Sequence, residues 1–165
     1  GFGTGLNLLA AWAAWRAAGV AGPLRFVSFE AYPLRVDEMR QALAAFEEVA
    51  GLAAVLLDAM DALGPVYVAD GLEFHLIEGD ARETLARWDG LADAWFLDGF
   101  SPAKNPELWG ADLMAQVAVH TAPGGTAATY TAAGHVRRGL EAAGFTVTRA
   151  PGFGRKRHMT RAVLG

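Results

Sequence analysis

The chain has 165 residues, of which 53% are hydrophobic and 19% charged, which is the size and composition of about one globular domain and excludes a disordered chain. It contains no cysteine, which excludes disulfides, thiolate metal sites and a cysteine nucleophile, and we predict no metal site. The net charge of −4 combines 6 basic and 15 acidic residues over 1–103 with 8 basic and 3 acidic residues over 104–165. This asymmetry indicates either a surface that faces nucleic acid or an accident of helix faces.

The chain shows no membrane or export signal. No run approaches the ~18 uninterrupted apolar residues of a membrane span. The opening GFGTG has neither the basic region nor the cleavage pattern of a signal peptide. We therefore predict a soluble, cytoplasmic protein that does not bind a membrane. Because the chain has no initiator Met and starts in what resembles a loop, we expect it to be a fragment.

Helical and strand patterns alternate along the first half of the chain. Strong helix formers that end at a glycine predict the first helix, and an apolar, aromatic-rich run predicts the first strand. The predicted elements are a helix over Leu6–Gly19, a strand over Leu24–Glu30, helices over Leu34–Gly51 and Ala53–Leu63, a strand over Leu72–Asp80 and a short helix over Arg82–Trp88.

The second half continues the alternation and ends in two adjacent strands. The predicted elements are a buried strand over Ala92–Leu97, a helix over Pro106–His120, a strand over Gly124–Thr131, a helix over Gly134–Ala143 and strands over Phe145–Ala150 and Met159–Gly165. Alternating strands and helices predict a single α/β domain over residues 1–165, with a mostly parallel sheet covered on both faces. The last two strands lack a helix between them, which predicts an antiparallel hairpin at the sheet edge.

A glycine-rich segment opens the chain. Ligands of open parallel sheets bind at the carboxyl ends of the strands, so the loops there are the first place to look for a site. Gly1, Gly3 and Gly5 form G-x-G-x-G before the first helix, which lets a backbone approach a ligand closely. A dinucleotide fingerprint would need glycine at position 6, and Leu6 there argues against NAD.

Two acidic residues close predicted strands. Glu30 can accept both hydroxyls of an adenosine ribose, or it is a solvated acid at a strand end. Asp80 can meet an adenine amino group, with Ala81 offering a backbone amide, and it can also cap the following helix. This order of loop and acids is similar to the layout of Rossmann-like class I methyltransferases, and the similarity implies S-adenosyl-L-methionine as the cofactor.

The loop after the predicted strand Ala92–Leu97 contains the candidate catalytic residues. It reads LDGFSPAKNPELW, and its plan is similar to the Asp/Asn-Pro-Pro-aromatic loop that lies beside the methyl donor in amino-group methyltransferases. An alkyl amine with a pKa near ~10.4 is mostly protonated at neutral pH and needs a base. Asp98 can direct the amine lone pair and take its proton, and Phe100 can wall the pocket. Both residues also fit ordinary loop chemistry.

The same loop is one of four motifs that resemble a known protein family. Together with GFGTGLN, VRRGLEAAGF and PGFGRKRHM it resembles the methyltransferase domain of the bacterial tRNA 5-methylaminomethyl-2-thiouridine biosynthesis proteins, the MnmC family, over essentially the whole chain. The resemblance implies methylation of the amine of 5-aminomethyl-2-thiouridine at the wobble position of tRNA. It implies that the cofactor is held by Gly1, Gly3, Gly5, Glu30 and Asp80, and that the modified base is faced by Asp98, Phe100 and Lys104. Lys104 can instead meet a phosphate or pair with Glu107.

The resemblance also assigns partners. A tRNA-backbone surface is implied for Arg137, Arg138, Arg155, Lys156 and Arg157, whose alternative is a solvated basic loop. His158 stands where the family usually has an acid, so the role of that position is open. The family further implies that the first, central strand of the sheet is missing from this fragment, and that an FAD-dependent oxidoreductase is a fused or separate partner.

Other functions fit parts of the same pattern. A methyltransferase acting on a small-molecule or protein amine would use the same loop without the basic surface. A nucleotide-binding or interaction module without catalysis would keep the glycine-rich segment with Glu30 and Asp80 and would still bind S-adenosyl-L-methionine. An aminopropyltransferase on the same fold would need an acidic pocket for a polyamine. The basic loop, which contains Arg155, Lys156 and Arg157, disfavours this function.

Overall fold

The structure is a computed structural model that describes residues 1–69, 71–154 and 156–165. The chain divides into two compact units, residues 1–80 and 81–165, and each unit is described by itself. The single domain expected for residues 1–165 stays a prediction.

The first unit contains a three-stranded sheet in the order β1-β3-β2. Strands β1 and β3 run parallel, with Glu30 opposite Glu78 at their carboxyl ends, and β2 is antiparallel to β3. The elements are α1 (Leu6–Ala17), β1 (Leu24–Glu30), α2 (Val36–Leu43), a 3-10 turn (Glu47–Val49), α3 (Ala50–Leu63), β2 (Val66–Ala69) and β3 (Leu72–Glu78).

The core of the first unit follows the sequence periodicity. Strand β3 alternates as predicted, so Leu72, Phe74 and Leu76 are buried on one face. Helix α1 presents Leu8 and Trp12 to the same cluster, and both side chains are fully buried. Hydrophobic burial along one face of each element is the main stabilising contribution here.

Two features of the first unit differ from the sequence prediction. The helix expected over Leu34–Gly51 ends at Leu43, because the chain leaves helical geometry at Phe46 and packs Val49 against the core before α3 begins. Strand β2 was not predicted, because its four residues are too short for a pattern and form a strand through pairing with β3.

Tyr67 of β2 carries a buried hydroxyl that lacks a hydrogen-bond partner among the described residues. Its side chain is 4% exposed, and its ring lies 5.5 Å from that of Phe74. An unpaired buried hydroxyl costs about 1–3 kcal/mol. Tyr67→Phe keeps the ring contact and removes the hydroxyl, so we expect the free energy of unfolding to rise by about 1 kcal/mol in urea denaturation. A fall in the free energy of unfolding would contradict the conclusion that the Tyr67 hydroxyl lacks a hydrogen-bond partner.

A control variant and the pH dependence of stability extend this experiment. Tyr32→Phe alters a tyrosine that is 87% exposed and should leave the unfolding free energy unchanged. Burial also raises the pKa of Tyr67 from 10.0 to about 12. The folded state therefore holds this proton more tightly than the unfolded chain, so the free energy of unfolding falls as the pH rises from ~10 towards the folded value. Tyr67→Phe should lack that part of the alkaline loss.

The second unit contains a four-stranded sheet in the order β4-β5-β7-β6. Strands β4 and β5 are parallel, while β5 with β7 and β6 with β7 are antiparallel. The elements are α4 (Ala81–Thr84), a 3-10 turn (Leu85–Arg87), β4 (Ala92–Phe96), a second 3-10 turn (Pro106–Trp109), α5 (Ala111–Val119), β5 (Thr121–Thr129), α6 (Gly134–Ala142), β6 (Phe145–Pro151) and β7 (His158–Leu164). The α/β class, the parallel pairs and the antiparallel hairpin at the sheet edge are confirmed, but the sheets are mixed and not mostly parallel: among the described strands two pairs are parallel and three are antiparallel.

Two predictions for the second unit need correction. The helix expected over Pro106–His120 is interrupted at Gly110, whose extended backbone separates the 3-10 turn from α5. Strand β4 was expected to be buried, but it lies at the edge of its sheet and Phe96 is 53% exposed. An apolar run cannot distinguish a central strand from an edge strand, because the number of neighbours is a tertiary property.

Candidate active site

The glycine-rich segment of the first unit is shaped by two glycines in the left-handed region. Gly3 has a φ of 55° and Gly5 a φ of 82°, values that other residues rarely adopt. A Cβ added at Gly5 would lie 3.1 Å from the ring of Phe2 and 3.3 Å from Leu56, so a side chain there would have to displace these neighbours in addition to adopting a strained backbone. A Cβ added at Gly3 would meet no atom within 4 Å. Gly5 is therefore a structural requirement, whereas the backbone at Gly3 is open to a ligand.

Glu30 ties this segment to the end of β1. Its Oε2 accepts hydrogen bonds from the amides of Phe2 at 2.8 Å and Gly3 at 3.2 Å, and its Oε1 accepts one from Tyr32 at 2.9 Å. A Cβ added at Gly1 would lie 3.3 Å from the same Oε2. The structure thus brings Gly1, Gly3 and Glu30 together, as expected for parts of one site.

The environment of Glu30 keeps its carboxylate ionised. Burial by itself would raise the pKa of Glu30, but the amide donors of Tyr32, Gly3 and Phe2 outweigh burial and lower it below its ordinary value. A carboxylate offers about four acceptor positions. Three of them are used here, so Glu30 retains the capacity to accept a hydroxyl of a bound ligand.

Asp80 follows the end of β3. The amide of Gly79 donates to the carbonyl of Glu30 at 2.9 Å, so the carboxyl ends of β1 and β3 meet at one edge. Asp80 comes directly after this contact and is half-buried. Ala81 is the first residue of α4 and belongs to the second unit.

The Asp98–Phe100 segment leaves the carboxyl end of β4 in the second unit. The amide of Leu97 still bonds to β5, at 2.9 Å from the carbonyl of Ala128, and the chain then turns outward. Asp98 is exposed, and its Oδ1 accepts a hydrogen bond from the amide of Gly99 at 2.8 Å. Phe100 is 73% exposed. A carboxylate and an aromatic ring are therefore presented side by side at the surface.

Two aromatic residues donate hydrogen bonds to the backbone of this segment. The hydroxyl of Tyr130 donates to the carbonyl of Gly99 at 2.9 Å, and the indole of Trp109 donates to the carbonyl of Phe100 at 2.9 Å. The two rings also pack edge to face, with centroids 6.3 Å apart. Sequence reasoning missed both roles. Their signal was weak, because Tyr130 comes near Gly99 only through the pairing of β4 with β5.

Tyr130 also joins this segment to the basic loop. The ammonium of Lys156 lies 4.0 Å from the centre of the Tyr130 ring, within the range of a cation–π contact. Burial, followed by the charge of Asp98, raises the pKa of Tyr130, so its hydroxyl keeps its proton at neutral pH. The structure therefore connects Asp98, Phe100 and Lys156 through a single tyrosine.

The remaining residues predicted to face the substrate lie on exposed backbone. Lys104 is exposed, its amide donates to the carbonyl of Ser101 at 2.7 Å, and no ion pair with Glu107 forms in the described part of the chain. In α6, Arg138 is exposed and the half-buried Arg137 donates to the carbonyl of Ala132.

The basic loop ends at the start of β7. Arg157 is exposed, and so is His158, the first residue of the strand. Arg155, which was predicted to contact tRNA, lies outside the described residues.

Metal ligands and membrane spans were sought over residues 1–69, 71–154 and 156–165. Within these ranges no group of three or more His, Asp or Glu side chains is placed to hold a metal ion. None of the helices there combines the length and apolar character that crossing a membrane requires.

Comparison with known proteins identifies the family of this chain. Residues 38–165 match a family described as S-adenosyl-L-methionine-dependent methyltransferase. The chain belongs to this family, and S-adenosyl-L-methionine is its cofactor.

Individual relatives give a narrower similarity. The chain is 51% identical over 164 residues to the tRNA 5-methylaminomethyl-2-thiouridine biosynthesis bifunctional protein MnmC of Chromohalobacter salexigens, covering 96% of this chain and 24% of that protein. It is 47% identical to the protein of the same name from Caulobacter sp. strain K31, covering 99% of this chain and 29% of that protein. The chain thus spans about a quarter of the length of these relatives.

A solved structure supports the same likeness. The crystal structure of MNMC2 from Aquifex aeolicus matches 99% of this chain and 51% of its own, with a TM-score of 0.82 and 30% sequence identity. The resemblance to this family predicted from the sequence motifs is confirmed.

Proposed function

We propose that this chain transfers a methyl group from S-adenosyl-L-methionine to the primary amine of 5-aminomethyl-2-thiouridine at the wobble position of tRNA, giving 5-methylaminomethyl-2-thiouridine. The observation that carries the proposal is the exposed Asp98–Phe100 segment, which Tyr130 connects to the basic loop at Lys156. The names of the MnmC relatives support this choice of substrate.

The first unit supplies the groups that would hold the cofactor. The open backbone at Gly3 suits a close approach by the amino-acid part of the cofactor, and the spare acceptor capacity of Glu30 suits a ribose hydroxyl. We assign Gly1, Gly5, Asp80 and Ala81 to the same site, with Gly5 shaping the segment. The residues present therefore fit S-adenosyl-L-methionine.

The amine must lose a proton during methyl transfer. S-adenosyl-L-methionine supplies an electrophilic methyl on a sulfonium. The amine would accept this methyl group through its lone pair. At neutral pH only about one alkyl amine in 10³ has that lone pair free. The role of Asp98 is to hydrogen-bond the amine and accept its proton, directly or through water, while Phe100 contacts the pyrimidine face.

The hydrogen bonds that hold the Asp98–Phe100 segment matter because positioning of the reacting groups is a large part of catalysis of methyl transfer. An exposed loop that was free to move would rarely present Asp98 to the amine. Hydrogen bonds from Tyr130 and Trp109 to consecutive carbonyls restrict the segment, and Trp109 is itself only 3% exposed.

The basic residues of the second unit form the proposed tRNA surface. Phosphate contacts would come from Arg137, Arg138, Arg155, Lys156 and Arg157, with Lys104 close to the modified nucleotide. Such a substrate places the reaction in the cytoplasm. The word bifunctional in the relatives' names supports a second activity, for which we propose a fused or separate FAD-dependent oxidoreductase.

The proposal is tested by methyl labelling of tRNA. The chain, expressed with any sequence that flanks it in its gene, is incubated with radiolabelled S-adenosyl-L-methionine and tRNA from a strain that makes 5-aminomethyl-2-thiouridine but does not methylate it. We expect label in 5-methylaminomethyl-2-thiouridine after nuclease digestion, and none with tRNA from a strain that already carries it.

The alternative of a methyltransferase for a small-molecule or protein amine predicts a different result. Label would then appear in free amines or in protein, and tRNA would remain unlabelled. Cofactor binding in calorimetry without any methyl transfer would instead indicate a nucleotide-binding module.

A further inference from the structure

The loop between β6 and β7 presents an aromatic side chain to solvent. Phe153 is 96% exposed, and the next most exposed large hydrophobic side chain among the described residues is Tyr32 at 87%. It stands between Gly152 and Gly154, and Gly154 has a positive φ of 60°. Full exposure of a phenylalanine forgoes the burial of a large apolar surface, a loss that a binding partner would recover.

The loop that carries Phe153 is a closed turn. The amide of Lys156 donates to the carbonyl of Phe153 at 3.2 Å, and the amide of Gly152 donates to the carbonyl of Arg157 at 3.2 Å. A Cβ added at Gly152 would lie only 2.1 Å from the carbonyl oxygen of Lys156, so the two arms approach too closely for any other residue at this position. The turn fixes the backbone that presents the ring.

The charged residues of the sequence segment around Phe153 all have the same sign. Residues 145–165 contain five arginines and lysines and no aspartate or glutamate. Lys156 and Arg157, in the same turn as Phe153, are also exposed. Cationic groups beside a bare aromatic ring are the combination with which proteins bind single-stranded nucleic acid, since the cations meet phosphates and the ring stacks on a base.

The position of the turn in the second unit is also defined. Lys156 lies over Tyr130, and Tyr130 bonds to the carbonyl of Gly99, so the turn is joined to the segment that carries Asp98 and Phe100. An RNA strand whose modified base reaches that segment would pass its neighbouring nucleotides beside the turn.

We propose that Phe153 is a stacking site for an unpaired base of the tRNA anticodon loop next to the modified wobble nucleotide. The inference rests on the proposed function and adds a second base contact to it. Phe100 meets the base that reacts, and Phe153 meets a neighbour whose stacking holds the loop open. Stacking tolerates any base, so this site contributes affinity with little dependence on the base identity.

The test is binding of an anticodon stem-loop RNA to the wild-type protein and to Phe153 variants. Phe153→Ala should raise the Kd about 5- to 150-fold. Phe153→Trp should bind at least as tightly as the wild type, whereas Phe153→Leu should be as weak as the alanine variant, because leucine is apolar but has no ring to stack. Wild-type binding by Phe153→Leu would overturn the proposal.

Salt dependence separates stacking from charge. Phe153→Ala should leave the slope of log Kd against log salt unchanged, because it removes no cation. Arg157→Ala should reduce that slope by about 1. Replacing an unpaired loop adenine with 2-aminopurine gives a direct signal, whose fluorescence should change on binding to the wild type and not on binding to Phe153→Ala.

The failures of the two proposals can be told apart. Val119→Ala removes another apolar side chain, 67% exposed in α5, and should leave RNA binding unchanged. If the wild type methylates tRNA and Phe153→Ala binds the stem-loop equally well, the stacking site is refuted and the proposed function stands. If the wild type neither binds nor methylates tRNA, both are refuted.

Discussion

Replacing Asp98 with asparagine is expected to slow methyl transfer to tRNA by about 10²- to 10⁴-fold, the usual contribution of a positioned base. Asparagine keeps the oxygen that accepts the Gly99 amide at 2.8 Å, so the local turn should survive. It cannot take a proton from the amine. Single-turnover labelling should show the loss in the rate, while the Kd for S-adenosyl-L-methionine in calorimetry should stay at the wild-type value.

The matched control is Asp93→Asn. Asp93 is also an exposed aspartate of the second unit, on β4 itself, and its neutralisation removes the same charge without touching the Asp98–Phe100 segment. Wild-type turnover by Asp98→Asn would reject the catalytic role. An equal loss in both variants would show that net charge, and not a base, is responsible.

Glu30→Ala is expected to weaken binding of S-adenosyl-L-methionine by at least about tenfold, or ~1.4 kcal/mol. The substitution removes the acceptor for a ribose hydroxyl and releases the amides of Phe2, Gly3 and Tyr32. Hydrogen bonds to a charged group contribute about 1.5–3 kcal/mol each, so the glycine-rich segment should also loosen. Calorimetry gives the affinity, and amide hydrogen exchange over residues 1–5 reports the loosening.

Glu78→Ala is the control, since Glu78 is the exposed register partner of Glu30 at the end of β3. It should bind the cofactor like the wild type. The pKa of Glu30 is lowered below its ordinary 4.5, so the carboxylate and its hydrogen bonds persist at pH 4.5 and are lost only as the pH falls through the lower, folded value. Unchanged affinity in Glu30→Ala would remove Glu30 from the cofactor site.

Much of the fold was predictable because short-range patterns specify it. Strand β1 has the predicted bounds Leu24–Glu30, and the alternation of β3 places Leu72, Phe74 and Leu76 on the core face. The break at Phe46 was missed because helix formers continue on both sides of it, and the break at Gly110 was missed because a single glycine is tolerated within a helical pattern.

The candidate site shows the same division. The sequence predicted that Gly1, Gly3 and Glu30 belong together, and the structure adds the reason: the carboxylate accepts the amides of the segment. The sequence also singled out Asp98 and Phe100. It did not reveal that Gly5 is packed against side chains.

Residue types and local spacing predicted the α/β class and the candidate site residues, because strand ends, glycines and acids act within a few positions of one another, and the resemblance of the sequence motifs predicted the family. Three-dimensional pairing was needed to show which groups hold these residues in place. Tyr130 reaches Gly99 across 31 positions and Trp109 reaches Phe100 across 9, and both contacts depend on how β4, β5 and the turn before α5 pack. Contacts between residues distant in the chain are set by the free energy of the whole unit, and no local pattern encodes them.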